Sequence, residues 1–276
     1  MTGHPYPDAP VRLAAALRAA ARARDQRRLV VLAGPRRWSG ETAVAMLDDA
    51  PRAWIGARAV DGGACVPAAK ARGLLGGEWA QAVFDAHDGL DVEALAAVAG
   101  TLRGGGLLLL LTPPLDAWPS RPDPALARLL SSPATPADAV PRFVTRLVRQ
   151  IRADPAIAVC TPGAVAPAPA PPIGGAPPER RAGPDGCLGE DQRRAVRAVV
   201  EAVDGTPAVL TADRGRGKSA ALGLGAARLL AGRPCRIVVT APRRSAADAV
   251  FRHAARRLGL APARGDLRLG AGRELR

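Results

Sequence analysis

Ala212-Asp213-Arg214-Gly215-Arg216-Gly217-Lys218-Ser219 is the stretch that decides the fold. The apolar run 208–212 precedes it and predicts a strand, and the Ala- and Leu-rich run 218–231 follows and predicts a helix. A glycine-rich turn between a strand and a helix has a physical use. Glycines let the backbone turn tightly, so that consecutive N–H groups and the helix N-terminus face a polyphosphate. In that arrangement Lys218 reaches the outer phosphates, and the Ser219 hydroxyl ligands the Mg²⁺ that travels with them.

The general phosphate-loop pattern G-x-x-x-x-G-K-[ST] would place a glycine at residue 212, where the chain has Ala212. Helicases commonly carry A-x-x-G-x-G-K-[ST], and the segment fits that form at every specified position. A chance Arg/Gly turn is the competing explanation. Against it stands the scarcity of lysine, since only Lys70 and Lys218 occur among 39 basic residues. The nucleotide-binding set expected from this reading is Gln192 with Arg214, Gly215, Arg216, Gly217, Lys218, Ser219, Ala220, Ala221, Leu222 and Gly223. Gln192 enters because it precedes the loop by about a helix and a strand, where helicases place a glutamine against the adenine edge. Downstream, Val239-Thr240-Ala241-Pro242 ends the next predicted strand, 236–240, and Thr240, Arg243 and Arg244 are expected to contact a nucleic-acid backbone. A helix is expected at 190–203 and another at 245–258, whereas the last eighteen residues show no convincing element.

Working toward the N-terminus, residues 161–184 hold eight of the 27 prolines and no periodicity. That composition predicts a semi-rigid linker. The expected organisation is therefore an α/β domain over 1–160, a linker over 161–184, and a phosphate-loop α/β domain over 185–276. In the first domain, short apolar runs at 28–33, 53–56, 80–84, 106–112 and 156–160 alternate with helical stretches at 11–24, 39–49, 91–102 and 141–152. Strands apolar on both faces between helices predict a mostly parallel sheet covered on both sides. Gly104-Gly105-Gly106 is expected to form a tight turn, Ser39 to cap a helix, and most of the four tryptophans to anchor the core. Phe84-Asp85-Ala86-His87-Asp88-Gly89 ends a strand, where catalytic groups often lie, but a loop of capping carboxylates with an orienting histidine is the plainer explanation.

The chain has 276 residues, 48% hydrophobic and 23% charged, with a net charge of +14. These proportions exclude a disordered or collagen-like chain. The positive charge makes polyanions candidate partners, although an Arg, Ala, Gly and Pro excess also follows from GC-rich codons. Cys65, Cys160, Cys187 and Cys235 show no C-x-x-C pair, which argues against a zinc knuckle or disulfide framework. No secretory pattern opens the chain, and the run 107–111 is far shorter than the ~20 residues of a membrane span. A cytoplasmic location is expected.

The run 210–220, LTADRGRGKSA, resembles the ATP loop of the tRNA(Met) cytidine acetyltransferase family. Residues 74–114, LLGGEWAQAVFDAHDGLDVEALAAVAGTLRGGGLLLLLTPP, resemble the accessory domain that precedes the helicase module in that family. The resemblance implies an enzyme that forms N4-acetylcytidine at the wobble position of elongator tRNA(Met), using acetyl-CoA and ATP hydrolysis. It also implies Mg²⁺ held through ATP by Ser219, and tRNA as partner. The family's Asp-Glu pair and acetyl-CoA-binding domain have no counterpart in these 276 residues, so the chain by itself is expected to bind ATP at most. A stand-alone nucleotide- or RNA-binding module is the alternative, and a general phosphate-loop ATPase or kinase a more distant one.

Overall fold

A computed structural model describes residues 8–57, 59, 64–165, 182–202, 207–212, 216–242, 244–261, 267–268 and 272–275. The chain divides into two compact units, Met1–Pro177 and Pro178–Arg276. Most of the proline-rich segment, residues 166–181, lies outside the described residues.

In the first unit the order is α1 (Asp8–Arg24), β1 (Arg28–Ala33), α2 (Arg36–Met46), β2 (Arg52–Ile55), β3 (Trp79–Asp85), α3 (Val92–Thr101), β4 (Leu102–Thr112), α4 (Arg142–Ala153), β5 (Ala158–Thr161) and β6 (Ala164–Val165). The strands form one sheet in the order β2-β3-β4-β1-β5-β6. Every pairing is parallel except the last, between β5 and β6. This is the mostly parallel α/β sheet that the apolar runs predict.

The period of two along each strand explains why the leucine run is apolar throughout. Leu108 and Leu110 face a core with Val31, α3 and α4, whereas Leu107, Leu109 and Leu111 face a second core with Val30, Leu32, α1 and α2. Burying each such leucine is worth about 1.5–3 kcal/mol, so a strand covered on both sides contributes from every residue. Trp54 and Trp118 are buried, and Trp38 and Trp79 pack partly buried against the two cores.

Several boundaries differ from the sequence reading. Pro35, not Ser39, precedes the first helical residue of α2, because its fixed φ already suits a helix start; Ser39 lies inside the helix and donates to the Arg36 carbonyl at 3.1 Å. Gly104-Gly105-Gly106 belongs to β4 and is not a tight turn. Glycine is needed there because the strand passes close to the end of α1: a Cβ at residue 104 would lie 1.6 Å from the Asp25 carboxylate, and Gly105 has φ +77°. The sheet also continues beyond residue 160, since β6 folds back on β5.

The second unit contains α5 (Glu190–Glu201), α6 (Lys218–Gly232), β7 (Arg236–Ile237), α7 (Arg244–Leu258), β8 (Leu267–Arg268) and β9 (Glu274–Leu275). Its strands form a small sheet in the order β7-β9-β8. Two elements therefore arise in the last eighteen residues, where sequence offers no signal. Helix α6 packs between α5 and α7 through its glycines. A Cβ at Gly225 would lie 2.6 Å from Val199 Cγ1, and one at Gly223 would lie 2.5 Å from the Val250 carbonyl.

The strand expected at 208–212 is not formed: residues 207–212 join no ladder among the described residues, and Val209 is 82% exposed. The strand expected at 236–240 is confined to β7, and Val238 is likewise exposed. A strand needs neighbours for its N–H and C=O groups, and β-propensity alone does not supply them. Among the described residues, no helix is long and apolar enough to cross a membrane.

Candidate nucleotide-binding site

The glycine before Lys218 sets the geometry of the second unit's site. Gly217 occupies the N-cap of α6 with φ +82°, a left-handed conformation that side-chain-bearing residues adopt at a cost of about 1–2 kcal/mol. Helix α6 then begins at Lys218, and the first amides of the helix have no intrahelical acceptor. The Lys218 ammonium reaches back and donates to the Ala212 carbonyl. Arg214 and Gly215 of the expected set lie outside the described residues.

Gln192 stands across from this turn. A Cβ on Gly217 would be 3.1 Å from Gln192 Nε2, and Gln192 Oε1 accepts the Leu188 N–H at 2.7 Å. The side chain is thus fixed at the start of α5 with its amide nitrogen beside the glycine. Gln192, Arg216, Gly217, Lys218 and Ala221 line a shared cavity of about 950 Å³ with the segment 209–212. Ser219 and Ala220 are half-buried in the first turn of α6.

Four described residues of the expected set do not line the cavity: Ser219 and Ala220 in the first turn of α6, and two that lie farther along it. Leu222 is 42% exposed and does not line the cavity, and Gly223 is buried against the α7 backbone, where it serves close helix packing. Thr240 is exposed and Arg244 opens α7, whereas Arg243 lies outside the described residues.

Sequence reasoning passed over the contacts that anchor the approach to α5. Asp185 accepts the Cys187 N–H at 3.1 Å, pairs with Arg193 Nε at 2.9 Å, and lies 3.7 Å from Arg228 of α6. The backbone hydrogen bond from Cys187, followed by the bond and charge of Arg193, keeps the Asp185 carboxyl below the usual carboxylate range despite an opposing contribution from desolvation. This aspartate ties the approach to α5 onto α6. An aspartate five residues before a helix gives no local signal of a partner more than forty residues away.

In the first unit, the Asp85-His87 pair ends β3. Both are nearly buried, with side chains 8% and 6% exposed. His87 Nδ1 lies 2.7 Å from Asp85 Oδ1, and its Nε2 lies 3.0 Å from the Gly34 carbonyl oxygen. Arg36 ion-pairs with Asp88 and lies 3.7 Å from Asp85. Both ring nitrogens of His87 are engaged, as an orienting histidine requires. No group of three or more His, Cys, Asp or Glu side chains among the described residues could hold a metal, and the four cysteines are free thiols.

A family model described as tRNA(Met) cytidine acetyltransferase TmcA, N-terminal, matches residues 7–162. The chain belongs to the tRNA(Met) cytidine acetyltransferase family. A second model of related proteins, RNA cytidine acetyltransferase NAT10/TcmA, helicase domain, matches residues 209–268, which include Lys218 and α6. A tRNA(Met) cytidine acetyltransferase TmcA from Nitrosococcus halophilus is 45% identical over 259 residues, covering 90% of this chain and 34% of that protein. The protein of the same description from Haloferax volcanii is 40% identical over 268 residues, covering 89% of this chain and 35% of its own length. The chain spans about a third of the length of these curated relatives.

Proposed function

We propose that the second unit binds ATP with Mg²⁺, and that the chain is the amino-terminal portion of an enzyme that acetylates N4 of the wobble cytidine of elongator tRNA(Met). The observation that carries the ATP reading is Lys218 at the start of α6, directly after a left-handed glycine and beside a cavity that Gln192 borders. The residues present fit the nucleotide. The cavity is large enough, the turn is open where a side chain on Gly217 would crowd Gln192, and a cation stands at the helix N-terminus, where a phosphate is favoured.

Lys218 would exchange the Ala212 carbonyl for the outer phosphates. The Ser219 hydroxyl would meet Mg²⁺, and the Gln192 amide would read the base edge by donating and accepting hydrogen bonds. Bound there, ATP supplies the phosphoanhydride whose hydrolysis would be coupled to work on RNA. The acetyl-transfer part of the reading, with acetyl-CoA as donor, rests on the relatives' names and on the family resemblance. No residue of this chain is assigned to acetyl-CoA.

Calorimetric titration of the chain with ATP·Mg²⁺ tests the reading. We expect saturable binding that Lys218→Ala weakens at least about tenfold, a loss of roughly 1.4 kcal/mol. No binding by the parent chain, or equal binding by the variant, overturns it.

A further inference from the structure

We infer that the outer face of α4, in the first unit, is a docking surface for the sugar-phosphate backbone of tRNA. The helix reads RFVTRLVRQIRA and carries four arginines and no acidic residue. At 100° per residue, Arg142, Arg146 and Arg149 fall within about 60° of one another and span roughly 10 Å along the axis. They lie opposite Val144, Val148 and Ile151, which are buried in the core. The three guanidinium groups are exposed, and none forms an ion pair with an acidic side chain in the described residues. The fourth, Arg152, pairs with Asp116.

An arginine-rich composition does not by itself produce this face. On two other helices arginines come with acids: Arg37 pairs with Glu41 on α2, and Arg193 and Arg194 pair with Glu190 and Asp191 on α5. Among the described helices that carry three or more basic residues, α4 alone has no acidic residue. Phosphates supply the missing charge, and arginine forks match them bidentately.

Two neighbouring features favour RNA over other polyanions. Phe143, 47% exposed, adjoins the row and offers a ring on which a base can stack. A groove of about 480 Å³ runs beside the helix, lined by Thr145, Arg149 and Arg152 with Leu115, Pro119 and Asp116, the carboxylate that Arg152 neutralises. A smooth lipid surface has no use for the groove. The inference extends the tRNA reading of the family to a particular surface, and it does not involve the nucleotide site.

The test is the salt dependence of binding between the full chain and a transcript of elongator tRNA(Met), measured without nucleotide. Three phosphate contacts contribute about 2 to 3 to the slope of log affinity against log salt. Replacing Arg142, Arg146 and Arg149 together by alanine should make the slope shallower by that amount, and replacing them by lysine should largely preserve it. Removing three other exposed arginines, Arg103, Arg197 and Arg233, should leave it nearly unchanged. Equal losses in both alanine triples would mean that net charge alone binds RNA, and no loss in the α4 triple would mean that the face is unused; either overturns the inference. Tighter binding to phosphatidylserine vesicles than to the transcript, lost in the same triple, would also overturn it. Lys218→Ala should leave the slope unchanged, so that failure of the ATP reading is seen separately.

Discussion

Both units lead from an apolar segment through glycine into a helix, yet the two turns are finished in opposite ways. After β1, Gly34 borders a cavity of about 570 Å³, but the chain's own side chains tie the turn down: a Cβ there would lie 2.7 Å from the Trp38 ring, and its carbonyl is 3.0 Å from His87 Nε2. Asp85 and Arg36 complete the tie with the chain's own charges. Before α6, Gly217 opens on a cavity of about 950 Å³ with Lys218 at its edge. The same order of apolar segment, glycine and helix therefore ties its turn down with buried charges in one unit and leaves a cation beside a candidate ligand site in the other. Chain topology places the crevice, but which side chains occupy it decides what it can do.

The largest test of this contrast is to remove the histidine that ties the first turn down. His87→Ala removes the partner of a nearly buried carboxylate and of the Gly34 carbonyl, which should destabilise the first unit by about 3 kcal/mol. All four tryptophans, Trp38, Trp54, Trp79 and Trp118, belong to that unit, so the denaturation midpoint followed by tryptophan fluorescence reports it selectively. Affinity of the second unit for ATP·Mg²⁺ should not change. A variant that kept its fluorescence midpoint and lost RNA-related activity instead would give His87 a functional role and break the comparison.

A smaller effect is expected on the open side. Gly223→Ala would bring a methyl group to 2.5 Å from the Val250 carbonyl, a backbone atom that cannot step aside without moving α7. Overpacking of this kind costs about 1–3 kcal/mol. Far-UV circular dichroism should show the loss, with ATP affinity within about twofold of the parent when measured well below the melting temperature. Weakened binding at unchanged stability would return Gly223 to the nucleotide site, contrary to its position against α7.

How much was legible before the structure follows the same division. In the first unit the leucine run, the helical stretch at 91–102 and the apolar blocks announce their elements, because each strand is buried on both faces and its character is local. Lys218 and Gly217 are equally plain, since rarity and spacing mark them. What sequence concealed depends on distant partners. Residues 208–212 have strand composition but no strand beside them, and β8 and β9 are two residues long and exist only through each other and β7. Asp185 acquires its role from Arg193 and Arg228, and Gly223 from a helix that begins twenty-one residues later. The row of arginines on α4 was readable as a helix but not as a face, because only burial of Val144, Val148 and Ile151 tells which side turns outward.

The smallest expected effect is a change of slope with pH, and it bears on why the first turn stays tied down. Burial pushes the Asp85 carboxyl up, but the hydrogen bonds from the His87 side chain and backbone, with the charges of His87 and Arg36, outweigh burial and hold it below the usual carboxylate range. A carboxyl held lower in the folded state binds fewer protons there than in the unfolded chain, so stability increases with pH across that interval. The contribution is complete above the unfolded carboxylate value of about 3.9 and disappears as pH falls through the lower folded value. Fluorescence-detected denaturation between about pH 6 and pH 3 should therefore show a loss of stability toward acid that is shallower in Asp85→Asn, which has no proton to take up. Other carboxylates titrate in the same range, but they do so in both proteins and cancel in the difference. Parallel curves would mean that the charge of Asp85 does not hold the turn together, leaving packing alone to explain why this turn is tied down and the one before α6 is not.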